Sequence, residues 1–87
     1  MNDHSLERLR FLAGTDDVEF VAEPLTAVVV GIETREELRP QTIIRIGSLY
    51  LVETTEEPDN WYMGQLVGVE IVCHGAYGTL DDAVRAL

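Results

Sequence analysis

The fold is decided by the stretch Trp61-Tyr62-Met63-Gly64-Gln65-Leu66-Val67-Gly68-Val69-Glu70-Ile71-Val72-Cys73-His74-Gly75-Ala76-Tyr77. It consists of two runs rich in valine, isoleucine and aromatic residues, which strands prefer, and the runs meet at Gly68. Glycine readily takes the positive φ that a tight turn between two strands demands. The stretch therefore predicts a β-hairpin over residues 61–76, and the rest of the chain is interpreted around it.

The sequence leaves the register of this hairpin open. A turn at Val67-Gly68 pairs Leu66 with Val69, whereas a turn at Gly68-Val69 pairs Val67 with Glu70. Both registers give the same two faces, and a less favoured three-residue turn pairing Leu66 with Glu70 would break that partition. One face holds Tyr62, Gly64, Leu66, Ile71 and Cys73; the other holds Trp61, Met63, Gln65, Glu70, Val72 and His74.

A second hairpin is predicted over residues 42–53. Two apolar runs flank Gly47-Ser48, a pair suited to a type II′ turn. This turn pairs Ile46 with Leu49 and Ile44 with Leu51 on one apolar face. On the other face it pairs Arg45 with Tyr50 and Ile43 with Val52.

Short helices are predicted at both ends of the chain. The first is capped by Ser5 and runs to about Ala13, with Gly14 at its C-terminal end. The last is capped by Thr79, with Asp82 at the return position of a capping box. Its apolar stripe consists of Leu80, Ala83, Val84 and Leu87.

The segments between the first helix and the hairpins predict two strands and one helical turn. Residues 18–23 alternate apolar and polar side chains, which indicates a half-buried edge strand ending at Pro24. Residues 25–32 are almost continuously apolar, which is typical of a central strand covered on both faces. Thr34-Arg35-Glu36-Glu37 has capping-box spacing and predicts a helical turn from Arg35 to Leu38 or Arg39.

Together these elements predict a single α+β domain over residues 1–87, with a bent antiparallel sheet of five to six strands and the terminal helices on one face. A small, partly open β-barrel with terminal helices is the alternative. Two short helices cannot cover both faces of such a sheet. We therefore expect a homodimer formed through the face or edge that carries Trp61, Met63 and Val72.

Composition limits the class of partner and the compartment. Sixteen acidic against six basic residues give a net charge of −10, which argues against direct binding to nucleic acid or an anionic membrane and favours a basic partner. The sequence has neither a long apolar run nor a secretory signal pattern, and its single cysteine suits a reducing compartment. A cytoplasmic protein without a membrane span is the expectation.

Few residues suggest chemistry. Cys73 and His74 are neighbours in a strand and so point to opposite faces, which prevents a nucleophile-base pair. We expect Cys73 to be a buried, unreactive core residue. His4 and His74 have no ligand spacing, and the acidic clusters lack the pattern of a calcium loop. No enzyme activity, metal or cofactor is expected.

The strongest functional signal is the acidic segment between the two hairpins. Tryptophan and tyrosine dominate the energetics of protein interfaces, and an acidic loop directly before a tryptophan suits a basic partner. The sequence predicts a non-catalytic interaction module, such as an inhibitor, an immunity protein or a regulatory accessory. The alternatives are a small ligand-binding or enzymatic barrel and a structural subunit of a homo-oligomer. The partner-binding residues predicted are Glu53, Glu56, Glu57, Asp59, Trp61 and Met63.

Overall fold

The computed structural model describes residues 6–22, 25–30 and 33–87. Within these ranges the chain forms two helices and seven strands, and the predicted cap Ser5, the boundary Pro24 and the strand end at 31–32 lie outside them. In chain order the elements are α1 (Leu6–Ala13), β1 (Val18–Phe20), β2 (Thr26–Val30), β3 (Arg35–Leu38), β4 (Pro40–Ile46), β5 (Leu49–Thr54), β6 (Trp61–Val67), β7 (Glu70–Tyr77) and α2 (Leu80–Arg85).

The strands form one sheet in the order β1-β4-β5-β6-β7-β2-β3. The predicted α+β class with short terminal helices is confirmed, but the sheet is mixed and has seven strands instead of five to six antiparallel ones. The departure is β2, which pairs parallel to β7. Ala27 lies beside Ile71 and Val29 beside Cys73, so the apolar β2 segment gains apolar neighbours along its length.

Both predicted hairpins are present. The register of β4 and β5 is confirmed, with Ile46 opposite Leu49 and Ile44 opposite Leu51. Gly47 has a φ of 60°, the positive value that the first position of a type II′ turn needs. In the β6-β7 hairpin the turn is Gly68-Val69, because Val67 pairs with Glu70.

A β-bulge in β7 changes which face its later residues occupy. Gly64 lies opposite Cys73, but Met63 lies opposite Gly75, so His74 is the extra residue. One additional residue reverses the alternation of side chains along a strand. Tyr77 therefore packs with Trp61 and Met63, on the face opposite to that of Cys73.

The helices cover one face of the sheet. Leu9 of α1 and Leu80, Ala83 and Val84 of α2 pack into one core cluster with residues of β1, β4, β5 and β6. Trp61 and Met63 belong to this cluster and are only 1% and 3% exposed, so the expectation that they face away from the helices is wrong. The surface predicted to form the homodimer interface is thus largely buried inside the molecule. Homodimerisation remains a prediction, but it could not use that surface.

The opposite face is buried because the sheet curls. Leu38 ends the edge strand β3, and only Arg39 separates it from Pro40, the first residue of β4. β4 is the second strand from the other edge, so a flat sheet could not accommodate this link. The curled face encloses a second core cluster without helical residues: Ala27, Ile43, Val52, Ile71 and Cys73. β1 and β3 remain the edges of an open sheet.

Several local predictions are corrected. Residues 35–38 form the strand β3 instead of a helical turn, because they pair along β2. β2 is covered on both faces as predicted, since the neighbours Ala27 and Val28 are both buried, but it lies next to the edge strand β3 and not at the centre of the sheet. The edge position of β1 is confirmed, but Phe20 is 42% exposed, so its side chain is only partly covered. Leu87 is 44% exposed, since α2 ends at Arg85.

The predicted cap of α2 and the predicted end of α1 are confirmed. The Thr79 side chain caps α2 by accepting a hydrogen bond from the Asp82 backbone N–H at 3.1 Å. Gly14 has a φ of 71° and donates its N–H to the Arg10 carbonyl, which closes α1. Neither helix has the length and apolar character that crossing a bilayer requires, over the ranges that the structure describes.

Candidate functional site: an acidic loop on a buried carboxylate

The acidic segment forms a loop of residues 55–60 that connects β5 to β6. Its tip is a type II turn over residues 57–60, closed by a hydrogen bond of 3.1 Å from the Asn60 N–H to the Glu57 carbonyl. Pro58 supplies the fixed negative φ of the second position, and Asp59 takes the positive φ of the third, at 79°. Asp59 is the one described residue other than glycine with a positive φ.

A buried glutamate holds this turn in place. Glu53 is the second-last residue of β5, lies on the helix-covered face opposite Trp61, and is only 3% exposed. One carboxylate oxygen accepts the Asp59 backbone N–H at 3.0 Å. The other accepts the side chains of Gln41 and Thr42, both at 3.3 Å. The carboxylate thus links β4 to the tip of the loop, and its buried oxygens are satisfied by neutral donors.

Two further hydrogen bonds fix the start of the loop. The hydroxyl of buried Thr54 accepts the Glu57 N–H at 3.2 Å. The Thr55 N–H donates to the Arg39 carbonyl at 3.2 Å, at the link between β3 and β4. The loop is therefore tied to the sheet at both its beginning and its tip.

Tyr62 lies where the loop meets the curled sheet. Its hydroxyl donates to Glu57 at 3.0 Å, and the Asn60 amide donates to the same carboxylate at 3.2 Å. Burial raises the pKa of Tyr62, and the hydrogen bond and negative charge of Glu57 raise it further, with a smaller contribution from the charge of Glu36. Glu36 is on β3, three strands away in the sheet order, so the curl brings it towards Tyr62.

The arginine-carboxylate pairs of the described residues lie away from this loop. Arg45 binds Asp17 and Glu19, both at 2.8 Å, which raises the pKa of Arg45 and lowers that of Asp17. The remaining pairs are Arg8 with Asp81 and Arg35 with Glu70. Within the described ranges, Glu56, Glu57 and Asp59 are all exposed and have no arginine partner.

The structure separates the six predicted site residues into two groups. Glu56, Glu57 and Asp59 are exposed, as an interaction surface requires. Glu53, Trp61 and Met63 are buried, so they can support that surface but cannot contact a partner in this conformation. Sequence reasoning missed Glu36, because only the pairing of distant strands brings it to the loop. Tyr62 is close to the loop in the sequence, but the neighbouring Trp61 was the stronger aromatic signal.

Cys73 and His74 form no reactive pair. Cys73 is buried as predicted, and burial raises the pKa of its thiol to about 11, so the thiol stays protonated at neutral pH. His74 is exposed at the bulge. In the part of the chain that the structure describes, no three histidine, cysteine or acidic side chains converge in a way that could hold a metal ion.

Comparison with known proteins adds no functional information, because no protein-family model, curated protein or solved structure matches this chain.

Proposed function

We propose that this protein is a non-catalytic interaction module that binds a basic protein partner. The proposed contact region, termed the acidic loop surface, comprises Glu56, Glu57 and Asp59 of the loop together with Glu36 and Tyr62. The observation that supports it is the arrangement of exposed carboxylates, free of arginine partners among the described residues, on a turn anchored to buried Glu53.

A fixed loop suits binding for an entropic reason. Ordering a flexible segment on association costs free energy, roughly 0.5–1.5 kcal/mol for each immobilised side chain. Here the Asp59 and Glu57 backbone amides are already bonded to Glu53 and Thr54. The loop would therefore lose little freedom on binding, and more of the interaction energy would appear as affinity.

The charge of the loop would mainly affect the rate of encounter. The chain has a net charge of −10, so its field attracts a basic protein over a distance that salt shortens. Complementary charge raises association rates more than it raises affinity. Tyr62 replaces Trp61 as the proposed aromatic contact, because Trp61 packs beneath the helices.

Capture of partners from the cytoplasm would test this function. The loop variant carries Glu56→Gln, Glu57→Gln and Asp59→Asn. A control variant carries Glu33→Gln, Glu37→Gln and Asp82→Asn, which removes the same number of exposed charges elsewhere. We expect the unmodified protein and the control to retain a basic protein at moderate salt, and the loop variant to lose it.

The proposal fails if the loop variant retains the same partner as fully as the control does while its circular dichroism spectrum is unchanged. It also fails if the captured partners are acidic. We propose a cytoplasmic setting because the one cysteine is unpaired and suits a reducing compartment. No specific observation among the described residues favours the ligand-binding, enzymatic or homo-oligomeric alternatives.

A further inference from the structure

Phe11 is an aromatic side chain that the fold does not use. It lies on α1, whose other side packs Leu9 into the core beneath the helices. Phe11 is 85% exposed, more than any other large apolar side chain in the described residues. A phenylalanine buries a large apolar area when it is covered, so an open one is a candidate contact point.

The surroundings of Phe11 form an open surface depression of about 560 Å³. Its walls come from α1 and from the turn that follows, and they consist of Glu7, Arg10, Phe11, Gly14, Thr15 and Asp16. The turn is fixed, because the N–H groups of Gly14 and Thr15 both donate to the Arg10 carbonyl, at 2.9 and 3.3 Å. Phe11 therefore borders a shallow, open depression next to a hydrogen-bonded turn, and it does not lie on a loose end.

The charge of this depression is acidic overall. Glu7 and Asp16 contribute two carboxylates, against the single guanidinium of Arg10. Arg10 is held against the wall, since its Nε donates to the Asp16 backbone carbonyl at 3.2 Å. Among the described residues, neither the Glu7 nor the Asp16 carboxylate accepts a side-chain hydrogen bond.

We propose that this depression, the Phe11 surface, binds an arginine or lysine side chain of a protein partner. The cation would lie over the face of the phenyl ring, where the ring's quadrupole attracts it, and its head would point towards Glu7 and Asp16. Charge complementarity argues for this occupant, because an aromatic face flanked by excess carboxylate favours a cation over an anion or a neutral group.

The Phe11 surface is distinct from the acidic loop surface. The Asp17 carbonyl accepts the Gly47 N–H at 2.9 Å, which ties the turn after α1 to the β4-β5 turn. The acidic loop begins at the other end of the six-residue strand β5, roughly 17 Å away. The inference therefore goes beyond the proposed function and names a second contact for basic side chains.

Nuclear magnetic resonance titration of the ¹⁵N-labelled chain tests this proposal. The probe is a blocked peptide of alternating arginine and glycine, and the control probe has citrulline in place of each arginine. At low ionic strength we expect saturable amide shifts over residues 7–16 with the arginine peptide only. Phe11→Ala should weaken binding there at least threefold, whereas Phe11→Trp should preserve or tighten it.

Two further variants sharpen the result. Val69→Ala truncates another strongly exposed apolar side chain and should leave the affinity unchanged. Glu7→Gln combined with Asp16→Asn should weaken binding and flatten its dependence on salt. The proposal is overturned if residues 7–16 do not respond, if the citrulline peptide gives the same shifts, or if Phe11→Ala binds like the unmodified chain. Shifts confined to residues 55–60 would overturn it while leaving the acidic loop surface standing.

Discussion

Asp59 carries backbone strain at the tip of the acidic loop. Its φ of 79° lies in the left-handed region, where side chains other than glycine are disfavoured by roughly 1–2 kcal/mol. The type II turn that Pro58 begins requires a positive φ at this position. The strain is maintained because the Asp59 N–H must reach the Glu53 carboxylate.

Two substitutions at Asp59 test how much this strain lowers the stability of the protein. Asp59→Gly relieves it, although part of the gain is offset by the greater freedom of glycine in the unfolded chain. We expect the free energy of unfolding in urea to rise by roughly 0.5 kcal/mol. Asp59→Ala removes the same charge, but alanine tolerates the left-handed region less well than aspartate does, so this change should lower the free energy of unfolding by about 1 kcal/mol. Equal stability of the two variants would show that the turn does not hold this conformation.

Gly64 is required by the bulge in β7. A Cβ placed on Gly64 would overlap the Val72 carbonyl oxygen and lie 2.8 Å from the Cα of Cys73. Both contacts are with backbone, so no side-chain movement can relieve them. At Gly75, by contrast, an added Cβ would meet the Tyr77 hydroxyl at an ordinary 3.6 Å.

These two glycines give a matched pair of variants. Gly64→Ala should lower the free energy of unfolding by roughly 3 kcal/mol, because the β6-β7 pairing must shift. Gly75→Ala should change it by less than about 1 kcal/mol. Thermal unfolding followed by circular dichroism measures both. A Gly64→Ala variant as stable as Gly75→Ala would mean that the bulge is not at His74.

At the scale of elements, the acidic loop depends on Glu53. Glu53→Gln replaces one carboxylate oxygen by an NH₂ group. The Thr42 hydroxyl and a rotated Gln41 amide can accept from that group, so the amide oxygen can stay towards the Asp59 N–H, but it is a neutral and therefore weaker acceptor than the carboxylate. Hydrogen bonds to charged groups contribute roughly 1.5–3 kcal/mol, against about 0.5–1.5 kcal/mol between neutral groups. We expect a stability loss of roughly 1 kcal/mol and faster hydrogen exchange of the Asp59 amide.

Glu56→Gln is the control for this change, because the Glu56 side chain is exposed and, among the described residues, is hydrogen-bonded only to its neighbour Thr55. It should alter neither stability nor exchange. If Glu53→Gln leaves the Asp59 amide as protected as before, the loop is held by other contacts and the proposed preorganisation is wrong.

Elements with local signals were predictable from the sequence. The Gly47-Ser48 turn and the Thr79 cap each depend on residues within a few positions, and both are confirmed. The capping-box pattern at Thr34 predicted a helical turn, and this prediction was wrong. β3 is stabilised by pairing with β2, and local propensity contains no information about that pairing. The predicted exposure of Trp61 was wrong for a related reason. An acidic loop before it suggested exposure, but its strand places it under the helices.

At the scale of the whole molecule, a bent sheet was predicted, but the strand connection that curls it was not. The face away from the helices was expected to carry Trp61 and Met63 and to be covered by a second protein molecule, whereas both residues pack beneath the helices. The sheet itself covers much of the face away from the helices, because the single residue Arg39 joins strands near opposite edges. The parallel pairing of β2 with β7, a contact distant in sequence, completes the arrangement.

The same curl creates the candidate site, since it brings Glu36 of β3 towards Tyr62 and the acidic loop. The most direct measurement of this claim is the pKa of Tyr62, followed by NMR in chains with ¹³C-labelled tyrosine and assigned with Tyr62→Phe. The hydroxyl should titrate above the ordinary value of about 10, because burial, Glu57 and Glu36 all disfavour the phenolate. Glu36→Gln should lower this pKa, whereas Glu37→Gln, on the opposite face of β3, should change it less. An ordinary pKa that is insensitive to Glu36→Gln would contradict the convergence of strand and loop at Tyr62.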